Sequence, residues 1–301
     1  MPRTTGPFPA GGEEEGHPLA RVAIFTDSAS DLDPAEAIAS GIHIVPLLVN
    51  FGSQSFRAGV DLTGPAFWER MTAADAPFPT TAASSPGDFK EAYEAAFGDG
   101  AEAIVSVHVA GSLSGTIKSA QIARDMLPDR EIHVVDSLSA SMAIGILARM
   151  GLELAEADVP AEEIAAELEE RSQDLRIYFA LDTLEYLKKG GRISGAQAAI
   201  GTLLSVKPVI MLKHGEITTV DRVRTRSKAR ERLIELTVER PVERLSILHT
   251  VTPDIEAFRA NVLKHLPDLD PGAVSVELVG ASVGPHVGPG CVGAAILYRP
   301  N

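Results

Sequence analysis

The strongest constraint on this chain is a rhythm: from Val22 onward, short runs of β-branched residues alternate with longer Ala- and Glu-rich stretches. A strand covered on both faces reads as a continuous apolar run, whereas a helix carries its apolar residues at a 3.6-residue period. Their alternation along one chain is the mark of βαβ units around a mainly parallel sheet. Strands are expected over residues 22–26, 42–49, 103–109 and 132–135, and helices over 89–97, 116–127, 139–156 and 161–172. Two helix starts are well punctuated. Asp33-Pro34 with Glu36, and Ser85-Pro86 with Asp88, each set a capping side chain before a proline and a carboxylate in the first turn. Thr252-Pro253-Asp254 repeats the pattern.

Past Gln173 the texture changes to strands at 177–181, 206–212, 217–223, 245–249, 274–279 and 294–298, two of them joined through the turn Lys213-His214-Gly215-Glu216. A short turn of that kind makes a hairpin, so this half carries an antiparallel component. A chain of 301 residues also exceeds what one hydrophobic core comfortably serves. The expected fold is α/β: an N-terminal three-layer domain with a mainly parallel sheet (21–173), then a C-terminal α/β domain with a mixed sheet (174–301), and a ligand held between them. Residues 1–20, with Gly11-Gly12 followed by Glu13, Glu14 and Glu15, read as a disordered tail.

Charge narrows the function. Asp and Glu outnumber Lys and Arg by 41 to 27, a net charge of −14, which disfavours partners that are themselves polyanions, nucleic acid first among them. No apolar run approaches the roughly 20 residues of a spanning helix, and the first positions lack a signal peptide's apolar segment. The single cysteine, Cys291, leaves no internal disulfide framework, and the eight histidines show no metal-ligand spacing. These features point to a soluble cytoplasmic protein with no metal and no cofactor.

Four places could carry chemistry. Gly111-Ser112-Leu113-Ser114-Gly115-Thr116 follows an expected strand and opens an expected helix, where hydroxyls and free N–H groups gather as an anion site or simply as a cap. It lacks the serine position of a nucleophile elbow and the Gly-Lys-Ser/Thr ending of a Walker loop. Thr80-Thr81-Ala82-Ala83-Ser84-Ser85 places Thr81 ahead of the Ser85 cap with no capping task of its own. Gly284-Pro285-His286-Val287-Gly288-Pro289-Gly290 is too rich in Gly and Pro for an ordinary connection, and His286 within it could donate a hydrogen bond or act as a base. Finally Lys188-Lys189-Gly190-Gly191-Arg192, Lys207 and the stretch 222–230 with Arg224 gather the basic residues, either as a helix end with Gly190 as its left-handed stop or as a docking face.

In this order the features resemble the DegV family of bacterial fatty-acid-binding proteins, over residues 21 to 301. Thr26-Asp27-Ser28-Ala29-Ser30-Asp31-Leu32 is similar to the family's opening Thr-Asp-Ser run. The resemblance continues through Leu113-Ser114-Gly115-Thr116, Val135-Asp136-Ser137, the stretch from Tyr186 to Arg192, and His286-Val287-Gly288-Pro289-Gly290. It implies a carrier, not an enzyme. One long-chain fatty acid such as palmitate would lie with its tail in an apolar tunnel between the domains, and a separate ATP-dependent kinase subunit would phosphorylate its carboxylate for phospholipid synthesis. Carried over residue by residue, Thr81 and Ser114 would donate to the carboxylate, with Gly115 N–H assisting and with His286 and Gly288 closing the site.

The departures from the family pattern are Ala82-Ala83 after Thr81, Gly111 ahead of the Leu-Ser-Gly, and Pro285 before the histidine. The first two remove polar partners and imply sparser head-group bonding, or a shift toward Ser112 and backbone N–H groups. Arg192, Arg224 and Lys189 would face the kinase. Phe51, Phe67, Ile117, Ile200, Leu203 and Leu204 are candidates for shaping the tunnel. The alternative is an acyl hydrolase or transferase with Ser114 as nucleophile, His286 as base and Asp27 or Asp136 as the orienting acid.

Overall fold

The structure, a computed structural model, describes residues 22–193 and 206–300; the expected tail and the tunnel candidates Ile200, Leu203 and Leu204 lie outside the described residues. The first half contains β1 (Val22–Asp27), α1 (Pro34–Ser40), β2 (Ile42–Val45), β3 (Leu48–Phe51), β4 (Gln54–Arg57), α2 (Gly64–Met71), β5 (Thr80–Ala82) and α3 (Pro86–Gly98). It continues with β6 (Ala103–His108), α4 (Thr116–Asp125), β7 (Glu131–Asp136), α5 (Met142–Glu156) and α6 (Ala161–Ser172). The second half contains β8 (Leu175–Ala180), α7 (Glu185–Lys189), β9 (Lys207–Lys213), β10 (Glu216–Val223), α8 (Arg226–Thr237), β11 (Val242–His249), α9 (Ile255–Leu263), β12 (Val274–Leu278), α10 (Gly284–Val287) and β13 (Val292–Tyr298).

The expected α/β class holds. A four-stranded parallel sheet, in the order β2-β1-β6-β7, is covered on both faces, so its strands carry apolar residues at successive positions. Ile24, Val105, Val107 and Val135 join one buried cluster, while Phe25, Val45, Ile104 and Ile132 meet Phe89, Tyr93 and Phe97 of α3 in another. Each such side chain contributes roughly 1.5–3 kcal/mol on burial. The second sheet is mixed, in the order β10-β9-β8-β13-β11-β12, with β9 and β10 forming the expected hairpin. Its strands alternate: Ile177, Phe179, Ile210 and Leu212 face the first half, whereas Tyr178, Ala180 and Val209 pack with Ala229 and Leu233 of α8. Helix α5 packs against β1 of one sheet and β13 of the other. That explains why it is apolar nearly all round, from Met142 through Ala148.

Three expectations are corrected. The run 42–49 is not one strand, because Pro46 cannot donate to a ladder. The chain leaves the parallel sheet at Val45 and starts a three-stranded antiparallel sheet, β4-β3-β5, in which Thr81 pairs with Val49. Thr252-Pro253 does not open α9: the helix starts at Ile255, the Thr252 hydroxyl donates to the Cys291 carbonyl, and the Asp254 carboxylate is held by Arg230. Gly190 is not the left-handed stop of α7, since its backbone is right-handed and Gly191, at φ 73°, takes that part. The N–H groups of Gly191 and Arg192 return to the carbonyls of Lys188 and Leu187, a Schellman ending that turns the chain so that residue 192 points back along the helix.

Candidate functional site

In the parallel sheet the connection after β1 leaves toward β2 and the connection after β6 leaves the other way, toward β7. The carboxyl ends of two adjacent strands whose connections diverge frame a crevice, the usual place for a ligand in an open α/β sheet. Here a cavity, partly open to solvent and lined mostly by apolar side chains, occupies that place, as small-molecule sites usually are. Ala29 beyond β1, Val109, Leu113 and Ser114 beyond β6, and Thr81 of β5 form one wall. The facing wall is the apolar side of the second sheet: Ile177 and Phe179 of β8, Ile210 and Leu212 of β9, and Ile217 of β10.

Polar groups on the wall are few and specific. His286 of α10 is largely buried, its Nε2 lies 3.2 Å from Thr81 Oγ1, and its Nδ1 has no partner among the described residues. That nitrogen abuts Gly190, where an added Cβ would come within 2.1 Å of it. A proton on Nδ1 would strand a buried donor, so hydrogen-bond accounting puts it on Nε2, which then donates to Thr81. Thr81 keeps its own O–H for a ligand. Desolvation, with the nearby Arg192 charge second, pushes His286 down to about 4, so the ring is neutral at physiological pH. Ser114 Oγ lies 2.8 Å from Thr116 Oγ1 and accepts the Thr116 N–H at 3.3 Å, which fixes it at the start of α4.

Arg192 also lines the cavity. Its Nε and Nη2 donate to the Leu113 carbonyl at 3.0 and 2.9 Å, and its Nη1 donates to the Gly190 carbonyl at 2.7 Å. Its donors are turned inward, and it is the one arginine or lysine on the cavity wall among the described residues. Lys189 and Arg224 are exposed, with the Lys189 ammonium 5.5 Å from the Phe78 ring centroid.

Other expected site residues lie off the wall. Ser112 donates to the Gly215 carbonyl at 2.6 Å, pinning the β9–β10 turn to the first half. Gly288, at φ 77°, packs so closely on the Tyr186 ring that a Cβ would come within 2.2 Å, and its N–H is taken by the Gly284 carbonyl. Gly115 immediately precedes α4 and is not part of the cavity lining. Phe51 and Phe67 pack with each other beneath the small sheet, and neither they nor Ile117 line the cavity. A serine relay is not assembled around His286. Asp27 accepts from His108 Nδ1 at 3.0 Å, and Asp136 accepts the N–H groups of Gly111 and Leu138. The buried series Tyr93, Ser106, His108, Asp27 ends on the N–H groups of Ala29 and Val109, two residues of the cavity wall.

Among the described residues no helix is long and apolar enough to cross a membrane, and no three His, Cys, Asp or Glu side chains are grouped to hold a metal ion.

Fold and cavity together define a class: an α/β protein built on a parallel sheet and a larger mixed sheet, with an apolar chamber between its halves that ends in a few hydrogen-bond donors. The chain belongs to the DegV family, whose model, described as "Uncharacterised protein, DegV family", matches residues 21–299. A DegV domain-containing protein of Streptomyces coelicolor is 37% identical over 285 residues, spanning 92% of this chain and 99% of the relative. Among solved structures, a DegV family protein from Thermus thermophilus, described for its fatty acid binding, is 35% identical with a TM-score of 0.84, over 93% of this chain and all of that one (100%). A stearic-acid-binding protein from Eubacterium ventriosum is 27% identical with a TM-score of 0.81, over 92% and 98%.

Proposed function

We propose that this protein holds one long-chain fatty acid, with its tail in the chamber and its carboxylate at the Thr81, Ser114 and His286 end, and hands it to a partner kinase for acyl phosphate formation. The observation that carries the reading is the cavity wall itself: a continuous apolar face from β8, β9 and β10 opposite two hydroxyls and a neutral histidine. Relatives of the same fold described as binding fatty acids support it.

The energetics divide between tail and head. Burying about 15 methylenes at roughly 0.8 kcal/mol each gives on the order of 12 kcal/mol of gross driving force, before the cost of immobilising a flexible chain. The head group adds orientation. A carboxylate leaving water needs donors; in this reading the Thr81 and Ser114 hydroxyls on the cavity wall supply them, and the guanidinium of Arg192 offsets the charge. In this reading Arg192 serves the ligand rather than the partner. Lys189 and Arg224 remain the exposed cations suited to an acidic docking face, and association through them would weaken as salt rises.

The test is mass spectrometry of an organic extract of the purified protein, followed by titration with palmitate and oleate. Stoichiometric fatty acid supports the reading; an empty extract together with no uptake defeats it.

A further inference from the structure

The apolar wall opposite Thr81 and His286 depends on a residue that is not itself part of the cavity lining. Strands β9, β8, β13 and β11 pair antiparallel, with Ile210, Phe179, Gly293 and Leu248 directly opposite one another in turn. Directly opposed residues of antiparallel neighbours project from the same face of a sheet, so these four make one row on the face that meets the first half. Ile210 and Phe179 line the cavity, whereas Gly293 and Leu248 do not. Gly293 is the gap in the row, and the Phe179 ring fills it. A Cβ at residue 293 would lie 2.6 Å from both Cδ1 and Cε1 of that ring and 2.8 Å from the Tyr178 carbonyl oxygen, against ordinary contacts of 3.4 Å and more.

A glycine inside a strand weakens it and often marks a close approach. The backbone of Gly293 is not left-handed, so its conformation does not call for glycine; the ring does. Leaning over Gly293 takes the ring toward β13 and leaves Ile210, on its other side, facing the cavity. With a side chain at 293 the ring has few places to go. Its same-face neighbours along the strands, Ile177, Leu181, Cys291 and Ala295, are buried, and Leu248 beyond residue 293 is fully buried. The remaining direction is off the sheet and back across Ile210, into the cavity that both residues line.

We propose that Gly293 determines which acyl chains the chamber accepts: by seating the Phe179 ring in the sheet it keeps the bore wide enough for a chain with a fixed bend, such as a cis-unsaturated one, and a larger residue there restricts the chamber to straight chains. A saturated chain adjusts to a narrowed bore by rotating its own bonds, while a cis double bond cannot, so the bent chain suffers first. Gly293 is thus a positioning residue acting through Phe179, a role that rests on the fatty-acid reading of the cavity. The test is displacement of a fluorescent fatty acid by palmitate and by oleate, on the unmodified protein, Gly293→Ala, Phe179→Leu and the double variant, with thermal unfolding alongside.

Gly293→Ala should weaken oleate relative to palmitate by roughly five-fold or more, and Phe179→Leu in the same chain should restore the ratio, a rescue that general damage to the sheet would not give. A folded Gly293→Ala with an unchanged ratio overturns the proposal, and so does a shifted ratio that Phe179→Leu fails to relieve. Where the Tyr178 carbonyl keeps Gly293→Ala from folding, Phe179→Leu alone decides: it removes the ring from the wall without adding a clash and should move the ratio toward oleate, and an unmoved ratio overturns the role given to the ring. If neither fatty acid binds the unmodified protein, the carrier reading falls and this inference with it, an outcome distinct from normal binding with an unaltered preference.

Discussion

Gly190→Ala is the sharpest test of the His286 geometry. Gly190 has a right-handed backbone, φ −77° and ψ −4°, so alanine introduces no backbone strain there and adds only a methyl group. That methyl would sit 2.1 Å from His286 Nδ1 and 2.9 Å from Cε1, against ordinary contacts of 3.4 Å and more. The ring must retreat by about 1.3 Å, or the end of α7 must open; the buried pocket around His286 gives it little room, and overpacking of this kind costs roughly 1–3 kcal/mol.

A retreat of that size breaks the 3.2 Å contact with Thr81 and frees the Thr81 hydroxyl to turn away from the carboxylate. Hydrogen bonds to an ionised group are worth roughly 1.5–3 kcal/mol, so fatty-acid affinity should fall by about ten-fold or more. The assays are thermal unfolding and displacement of a fluorescent fatty acid. His286→Ala in the same background removes the clash, so the double variant should lose less than the two single losses combined. Unchanged melting and unchanged affinity in Gly190→Ala would refute both the packing and the role given to the imidazole.

Three further outcomes follow from named contacts. Thr81→Val keeps the shape but removes the donor, and should weaken palmitate roughly ten-fold or more while altering melting little; equal affinity would take Thr81 out of the head-group site. Asp31, buried against Ser141 and Gly280 with Glu277 and Asp27 nearby, is raised from 3.8 to about 7, chiefly by desolvation, so its effect favours the folded state fully below pH 3.8 and is lost as pH rises to about 7, by at most on the order of 4 kcal/mol. His286, lowered from 6.5 to about 4, works the other way between those values, so the comparison is with Asp31→Asn: relative to the variant, the unmodified protein should lose stability from pH 4 to pH 8 in denaturant titrations, and parallel pH profiles would contradict this. Ile217→Trp adds bulk on the chamber wall and should shift the copurifying acyl chains to shorter lengths; an unaltered chain profile would show that residue 217 does not bound the tail.

The sequence by itself determined the layered α/β class, the hairpin of β9 and β10 and the capped starts of α1 and α3, because each depends on neighbours in the chain: apolar period, turn residues, a capping carboxylate. It also singled out Thr81 as a residue without a capping task, and the family resemblance added Ser114 and His286. What it could not supply was any relation between the halves. Thr81 and His286 are 205 residues apart, and a short β5 laid against β3 brings them together. The spacing of Lys188 to Arg192 reads as a basic surface, yet the Schellman turn at Gly191 points Arg192 inward to the Leu113 carbonyl. Local patterning encodes which backbone each segment adopts; the direction in which a side chain finally points, and whether its proton is left over, is decided by partners that only the packed halves bring within a few ångströms.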